Sequence, residues 1–293
     1  MTITPEKVAR VLASTIPNDL QPEINCCVLG AAAHGNLETY DTITYDALDK
    51  FFSLEVIKFE PDPISFGKEN QTKRNYETWI NEAIGDGGTH DFYETEYGAC
   101  SSLLIPDIST MDEFNCGRLS RLMRPKSKQK IHTALLDEVV TKPVDDLRMD
   151  IQGAELMALE GARATLNGVS TIQTEVSFVP QYIDQPLFSE IELFLRKNKF
   201  NLARLMEPHH HPLTPFSSEN PSDRAFIPVW TDAIFIKHVF SPHLLSKEKL
   251  LKTAIIAGVR YQALDVMYRC LKQVFDDEGI EGSADIALQR ILN

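Results

Sequence analysis

The chain has 293 residues, 43% hydrophobic and 24% charged, the composition of a soluble globular protein with room for one large α/β domain or two ordinary ones. A net charge of −13 argues against nucleic acid as the main partner, since phosphate binding needs a basic footprint, and leaves a small molecule or another protein. The N-terminus, MTITPEKVARVLASTIP, lacks the basic start and apolar run of a secretory signal, and no stretch approaches about 18 uninterrupted apolar residues; no membrane span and a cytoplasmic location are expected.

Cys26, Cys27, Cys100, Cys116 and Cys270 are odd in number and show no CxxC spacing, so reduced, mostly buried thiols are expected rather than a disulfide framework or a zinc site. Residues 5–14 read as a short amphipathic helix that Thr4 can cap, with Pro5 in its first turn. Residues 24–29 form a strand, followed by Gly30-Ala31-Ala32-Ala33-His34-Gly35, a turn of very small residues that lets a ligand approach the backbone closely. A helix is expected over 44–52 and a second strand over 54–59, with Glu60 directly after it. A carboxylate in that place can accept hydrogen bonds from both ribose hydroxyls of a nucleoside. Pro61 and Pro63 stiffen the turn that follows.

Residues 64–76 read as a polar helix, 79–84 as a third strand closing at Gly85-Asp86-Gly87-Gly88, and 90–95 as a short strand. Residues 98–103, GACSSL, form a small-residue loop of the kind that lines a pocket. Over 106–130 there is little periodicity, and Arg118, Arg121, Arg124, Lys126, Lys128 and Lys130 make the segment locally basic. Such a segment either holds an anionic substrate or is a solvated surface arm. Residues 131–139 are strand-like.

The chain is organised around residues 148–162, RMDIQGAELMALEGA. A strand over 144–151 runs to Asp150, turns at Gln152-Gly153 and continues as a helix. In an open α/β sheet ligands collect outside the carboxyl ends of the strands, so Asp150 points at a site. The next strand, 170–176, carries Glu175 near its end, and 187–198 is a helix with Leu187, Ile191, Phe194 and Leu195 at helical spacing. Strands over 200–206 and 231–238 enclose a long loop rich in Pro, His and Ser. In that loop His209 and His211 share a face of an extended segment, but a metal needs a third ligand and none is evident nearby, so they read as substrate contacts. Residues 246–275 read as one long helix whose Leu250, Ala254, Ala257, Tyr261, Leu264, Tyr268, Leu271 and Phe275 form a heptad seam. Its partner is residues 284–292, the sheet domain, or a second subunit in a homo-oligomer. The expected division is a helical segment 1–22, a main domain 23–240 and a helical extension 241–293.

Several short motifs stand in a telling order: Val56-Ile57-Lys58-Phe59-Glu60-Pro61-Asp62-Pro63, Asn81-Glu82-Ala83-Ile84-Gly85-Asp86, Gly98-Ala99-Cys100-Ser101-Ser102-Leu103, Leu136-Asp137-Glu138, Asp150-Ile151-Gln152-Gly153-Ala154-Glu155, Ile172-Gln173-Thr174-Glu175 and Asp232-Ala233-Ile234-Phe235-Ile236. In that order, over residues 24–238, the chain resembles the FkbM-type S-adenosylmethionine-dependent methyltransferases. The resemblance implies a Rossmann-like α/β fold with a seven-stranded, mostly parallel sheet whose last strand is antiparallel, flanked by helices. It implies S-adenosylmethionine as cofactor, with Gly30, Ala31, His34 and Gly35 at its methionine part, Glu60 at the ribose, and Ala83 and Asp86 at the adenine. It also implies O-methylation of a small-molecule or sugar acceptor.

Transfer to a hydroxyl needs a base for its proton. Asp150 is the candidate, with Glu155 and Glu175 as supporting acids, although Glu155 also suits a helix terminus and Glu175 a strand end. Ser101, Ser102, His209 and His211 are candidate substrate contacts. Three departures from the family pattern stand out: Val28-Leu29 where an acid usually ends the first strand, Gly30 and Gly35 one residue further apart than usual, and Gln152 in place of an acid. They leave open a degenerate relative that acts as a binding or assembly module. A dehydrogenase is disfavoured, since no GxGxxG follows the first strand.

Overall fold

The protein is represented by a computed structural model that describes residues 3–31, 36–218, 225–280 and 282–293. Helix α1 (Pro5–Thr15) is capped by Thr4, whose Oγ1 accepts from Lys7 N at 3.2 Å, and it buries Val8, Ala9, Val11 and Leu12. Strand β1 (Ile24–Leu29) is buried along its whole length, as a parallel strand covered on both faces should be. After it come α2 (Asn36–Asp49), β2 (Leu54–Phe59), α3 (Pro63–Gln71) and β3 (Glu77–Ile80). Asp62 caps α3 by accepting from Ser65 N at 2.8 Å.

The strand expected over 79–84 is two strands. Asn81 Nδ2 donates to the carbonyls of Glu60 (2.8 Å) and Pro61 (3.1 Å), which turns the chain out of the main sheet. Strand β4 (Ala83–Ile84) then joins a separate three-stranded sheet with β5 (Thr89–Thr95) and, beyond α4 (Ile108–Asp112) and α5 (Arg118–Met123), β6 (Pro125–Ala134). The basic segment is therefore partly a strand, beginning earlier than expected. Its residues 125–130 are all exposed, so no apolar alternation marks it. Lys128 and Lys130 both pair with Asp91 at 2.8 Å.

Residues 136–139, expected to extend that strand, form α6 (Leu136–Val139). Next are β7 (Asp146–Met149), α7 (Glu155–Glu160), α8 (Thr165–Gly168), β8 (Thr171–Ser177), α9 (Phe188–Lys197), β9 (Phe200–Leu205), β10 (His209–His211) and β11 (Ile227–Lys237). The main sheet runs β3-β2-β1-β7-β8-β11-β9, with β10 on the outer edge of β11 beside β9. Strands β1, β2, β3, β7 and β8 pair in parallel and β11 is antiparallel to β8. This is the expected class I methyltransferase arrangement with one added edge strand.

The single helix expected over 246–275 is two, α10 (Lys247–Val259) and α11 (Leu264–Asp277), followed by α12 (Ser283–Leu292). Gln262 takes a positive φ of 50° and the chain reverses there. Gly258 allows the two helices to approach: a Cβ there would lie 2.8 Å from Met267 Sδ. A heptad count cannot see this break because the apolar steps continue across it. Leu250, Ala254, Ala257, Tyr261, Leu271 and Phe275 are buried within the chain, so the seam's partner is the protein's own core. That core joins Val8 of α1, Val56 of β2, Ile234 of β11 and Leu271 of α11, residues from all three expected segments. A second core fills the other sheet face under α7 and α9. Among the described residues no helix is long and apolar enough to cross a membrane.

Candidate active site

A cleft of about 1310 Å³ lies at the carboxyl ends of the parallel strands. Single-ligand sites typically occupy roughly 300–1,000 Å³, so this one has room for two molecules side by side.

One half of the cleft is built by β1, β2 and the chain after them. Gly30 has φ +71°, and a Cβ there would lie 2.0 Å from the carbonyl oxygen of Asp150. Only glycine permits this contact, which fixes the end of β1 against the end of β7. Gly30 and Ala31 line the cleft, and Ala31 N donates to Phe59 O at 3.0 Å. His34 and Gly35 lie outside the described residues. Glu60 is 6% exposed, lines the cleft and accepts from Asp62 N at 2.9 Å. Ala83 lines it as well. Asp86 does not reach it: its carboxylate is taken up by Gly88 N (2.8 Å) and His90 Nε2 (2.6 Å) beside the small sheet.

The other half is anionic. Asp150 follows β7, half-buried, with Arg148 Nη2 3.9 Å from its Oδ2 and Gln152 Nε2 donating to its Oδ1 at 2.7 Å. Gln152 and Gly153 take φ of 55° and 95°, which reverses the chain. Gln152, the departure from an acid, is a structural relay: Tyr182 Oη donates to its Oε1 at 3.0 Å. Ser102 Oγ donates to the Gln152 carbonyl at 2.5 Å, and Ser101 Oγ accepts from Thr95 N at 3.1 Å. Both serines line the cleft, with their hydroxyls already holding its wall. Glu155 lies beneath that wall, 2% exposed, and accepts from Ile151 N (3.0 Å) and Gly153 N (3.3 Å). Burial pushes its carboxyl up to about 7 despite those two donors.

Glu175 of β8 and Asp232 of β11 stand directly opposite in the antiparallel ladder, and both line the cleft. Like charges so placed repel. Burial, reinforced by Asp150, raises both: Glu175 well above the usual carboxylate range, and Asp232 to about 6 with Arg148 restraining it. An aromatic wall completes this half. His209 and His211 stack on Trp230 with centroids 4.8 and 5.2 Å apart. Burial lowers both imidazoles, His211 to about 4, so both are neutral at physiological pH.

The chain matches the sequence model of the methyltransferase FkbM domain over residues 30–202, more than half its length. The chain belongs to this family. A comparison with curated protein sequences found no match. Among solved structures, an FkbM methyltransferase from Methylobacillus flagellatus KT is 13% identical with a TM-score of 0.40, the alignment covering 78% of this chain and 58% of that one. Magnesium protoporphyrin IX methyltransferase from Synechocystis PCC 6803, solved with bound SAM, is 11% identical with a TM-score of 0.37, covering 80% and 79%. Likenesses this distant carry no argument about chemistry, and the assignment rests on the sequence model.

As a member of the methyltransferase family the chain places Glu60, Ala83 and Asp150 around one cleft. Trp230 and Arg148, which line the cleft, and Tyr182, which holds Gln152 from behind it, were left out by reading for motifs, and Asp232 stood in a motif without a role. Asp232 had a signal, an acid inside the apolar run Ala233-Ile234-Phe235-Ile236; the others are brought in by tertiary contacts alone.

Proposed function

We propose that this methyltransferase uses S-adenosylmethionine to methylate a hydroxyl of a small molecule or sugar. The observation that carries the reading is one cleft with Glu60 and the Gly30 turn on one side and the Asp150, Glu175 and Asp232 carboxyls on the other. Gly30, Ala31, Glu60 and Ala83 fit the cofactor: a turn of small residues at the end of β1, a buried acid after β2 and a small residue where a flat ring can lie, all lining the cleft. S-adenosylmethionine supplies an electrophilic methyl group on its sulfonium. Asp150 takes the proton of the acceptor hydroxyl as the oxygen attacks, and Gln152 and Arg148 keep its carboxylate aimed at the cleft. Glu175 and Asp232, whose affinity for protons burial raises, orient the acceptor, while Trp230 and the neutral imidazoles give its flat or apolar face a surface.

Calorimetry with S-adenosylmethionine and S-adenosylhomocysteine tests the cofactor. Micromolar binding weakened about 10- to 100-fold by Glu60→Ala is expected, the worth of hydrogen bonds to a charged group. No binding at millimolar cofactor favours the degenerate reading, which the missing acid at Val28-Leu29 also suits. Turnover of methyl-¹³C cofactor against a panel of sugars and small polyols tests the acceptor atom. A product shift characteristic of a methyl amine or thioether would overturn O-methylation.

A further inference from the structure

At the opposite end of the sheet, where β8 and β9 begin and β11 ends, lies a second cavity of about 510 Å³. Lys197, Lys199, Lys237, Lys249 and His238 line it, and among its described lining residues there is no aspartate or glutamate. In a chain of net charge −13 such a concentration of cation with no carboxylate in the lining differs from the basic segment at 118–130, where Lys128 and Lys130 pair with Asp91. Lys249 is matched by Asp145 at 2.7 Å, an acid it shares with Lys252. Lys237 is half-buried; its Nζ donates to the carbonyls of Leu166 (2.7 Å) and Asn167 (3.1 Å), lies 5.1 Å over the Phe200 ring, and among the described residues meets no acid. Its burial and the neighbouring Lys249 hold its pKa below the usual lysine value. Lys197 and Lys199 are exposed and pair with no acid among the described residues.

Two independent features add donors. Ser246, at the cavity, caps the 13-residue α10, whose N-terminal end carries partial positive charge. Ser170, at the cavity wall, is 1% exposed, and its Oγ finds no hydrogen-bond partner among the described residues. A buried hydroxyl left in that state costs stability that a ligand oxygen restores.

We propose that this cavity is an anion site that takes a phosphate-bearing small molecule, held by Lys197, Lys199 and Lys237 with the α10 N-terminus and Ser170 as neutral donors. Lysines serve phosphate as point charges, and the volume suits a phosphorylated metabolite rather than a lone ion. The overall negative charge opposes an anionic membrane or a nucleic acid at the same place. The seven residues of β8 separate it from the cleft by about 20 Å, so it does not depend on what the cleft binds.

Titration of the full chain with pyrophosphate, followed by calorimetry, tests the site. Saturable binding is expected, weakened at least about tenfold in the Lys197→Gln/Lys199→Gln double variant, whose exposed positions should leave the unfolding midpoint unchanged. In the unsubstituted protein, pyrophosphate should protect Lys197, Lys199 and Lys237 from acylation, read by mass spectrometry, and leave Lys126 of β6 reactive. No saturable binding at about 1 mM pyrophosphate, or equal affinity in the double variant with no protection, overturns the proposal. Capture by phosphatidic acid vesicles without binding of soluble pyrophosphate also overturns it, in favour of a lipid surface.

Discussion

Asp41 of α2, at the cleft, and Asp146, fully buried on β7, are matched by guanidinium groups: Arg148 Nε lies 2.9 Å from Asp41, and Arg260 reaches Asp41 at 3.1 Å and Asp146 at 2.9 Å. The last contact is an ion pair rather than an aligned hydrogen bond, and Tyr261 Oη at 2.7 Å supplies Asp146 with one. A strand or two away, Glu155, Glu175 and Asp232 have no cation within ion-pair distance among the described residues, and burial raises all three. Burial raises Asp146 too, with Arg260 restraining it, so what separates the two sets is the guanidinium partner that the first has and the second lacks. Glu155 and Asp232, raised to about 7 and about 6, exchange a proton near neutral pH, which is what an acceptor site needs; acids of the first kind hold elements together.

The sharpest test of this contrast is Asp150→Asn, expected to lower kcat about 10²- to 10⁴-fold, the usual worth of a general base, with cofactor affinity little changed. An unchanged kcat would move the proton to Glu175 or Asp232. Next is Arg260→Met, expected to lower the free energy of unfolding by about 3–5 kcal/mol, because it leaves the fully buried Asp146 carboxylate without its cation, while Asp41 keeps Arg148. A loss under about 1 kcal/mol, read from the urea midpoint, would erase the distinction between the two sets.

The smallest effect concerns Glu155. Its folded value of about 7 lies above the ordinary 4.5, so its contribution to stability is full below about pH 4.5 and is lost as pH rises through 7. Glu155→Gln, which imitates the protonated form, should match the parent at pH 5 and exceed it by about 1 kcal/mol or more at pH 8. Parallel stability curves over that range would mean that Glu155 titrates like an exposed acid.

The cofactor half of the cleft was legible because its parts are local: a strand, a small-residue turn, then Glu60 straight after the next strand. Asp150 and Glu175 were legible for the same reason, as acids at strand ends. Asp86 misled because its neighbour His90, two residues past a glycine pair, claims the carboxylate. Arg148, Tyr182 and Trp230 carry no local mark, since their partners lie on other strands and loops. The break at Gln262 was hidden by apolar spacing that fits one helix or two.

Arg260 stands late in the chain, at the end of α10, yet its partners Asp41 and Asp146 belong to segments that leave the ribosome well before it. During synthesis β7 must wait with the buried Asp146 lacking its cation, and Asp41 with Arg148 but not Arg260, a state that disfavours early closure of the sheet. The cleft is therefore expected to form only after α10 has been synthesised. Ribosome-stalled chains ending at residue 245 should be cleaved rapidly by protease, and equal resistance in stalled chains with and without α10 would refute this timing.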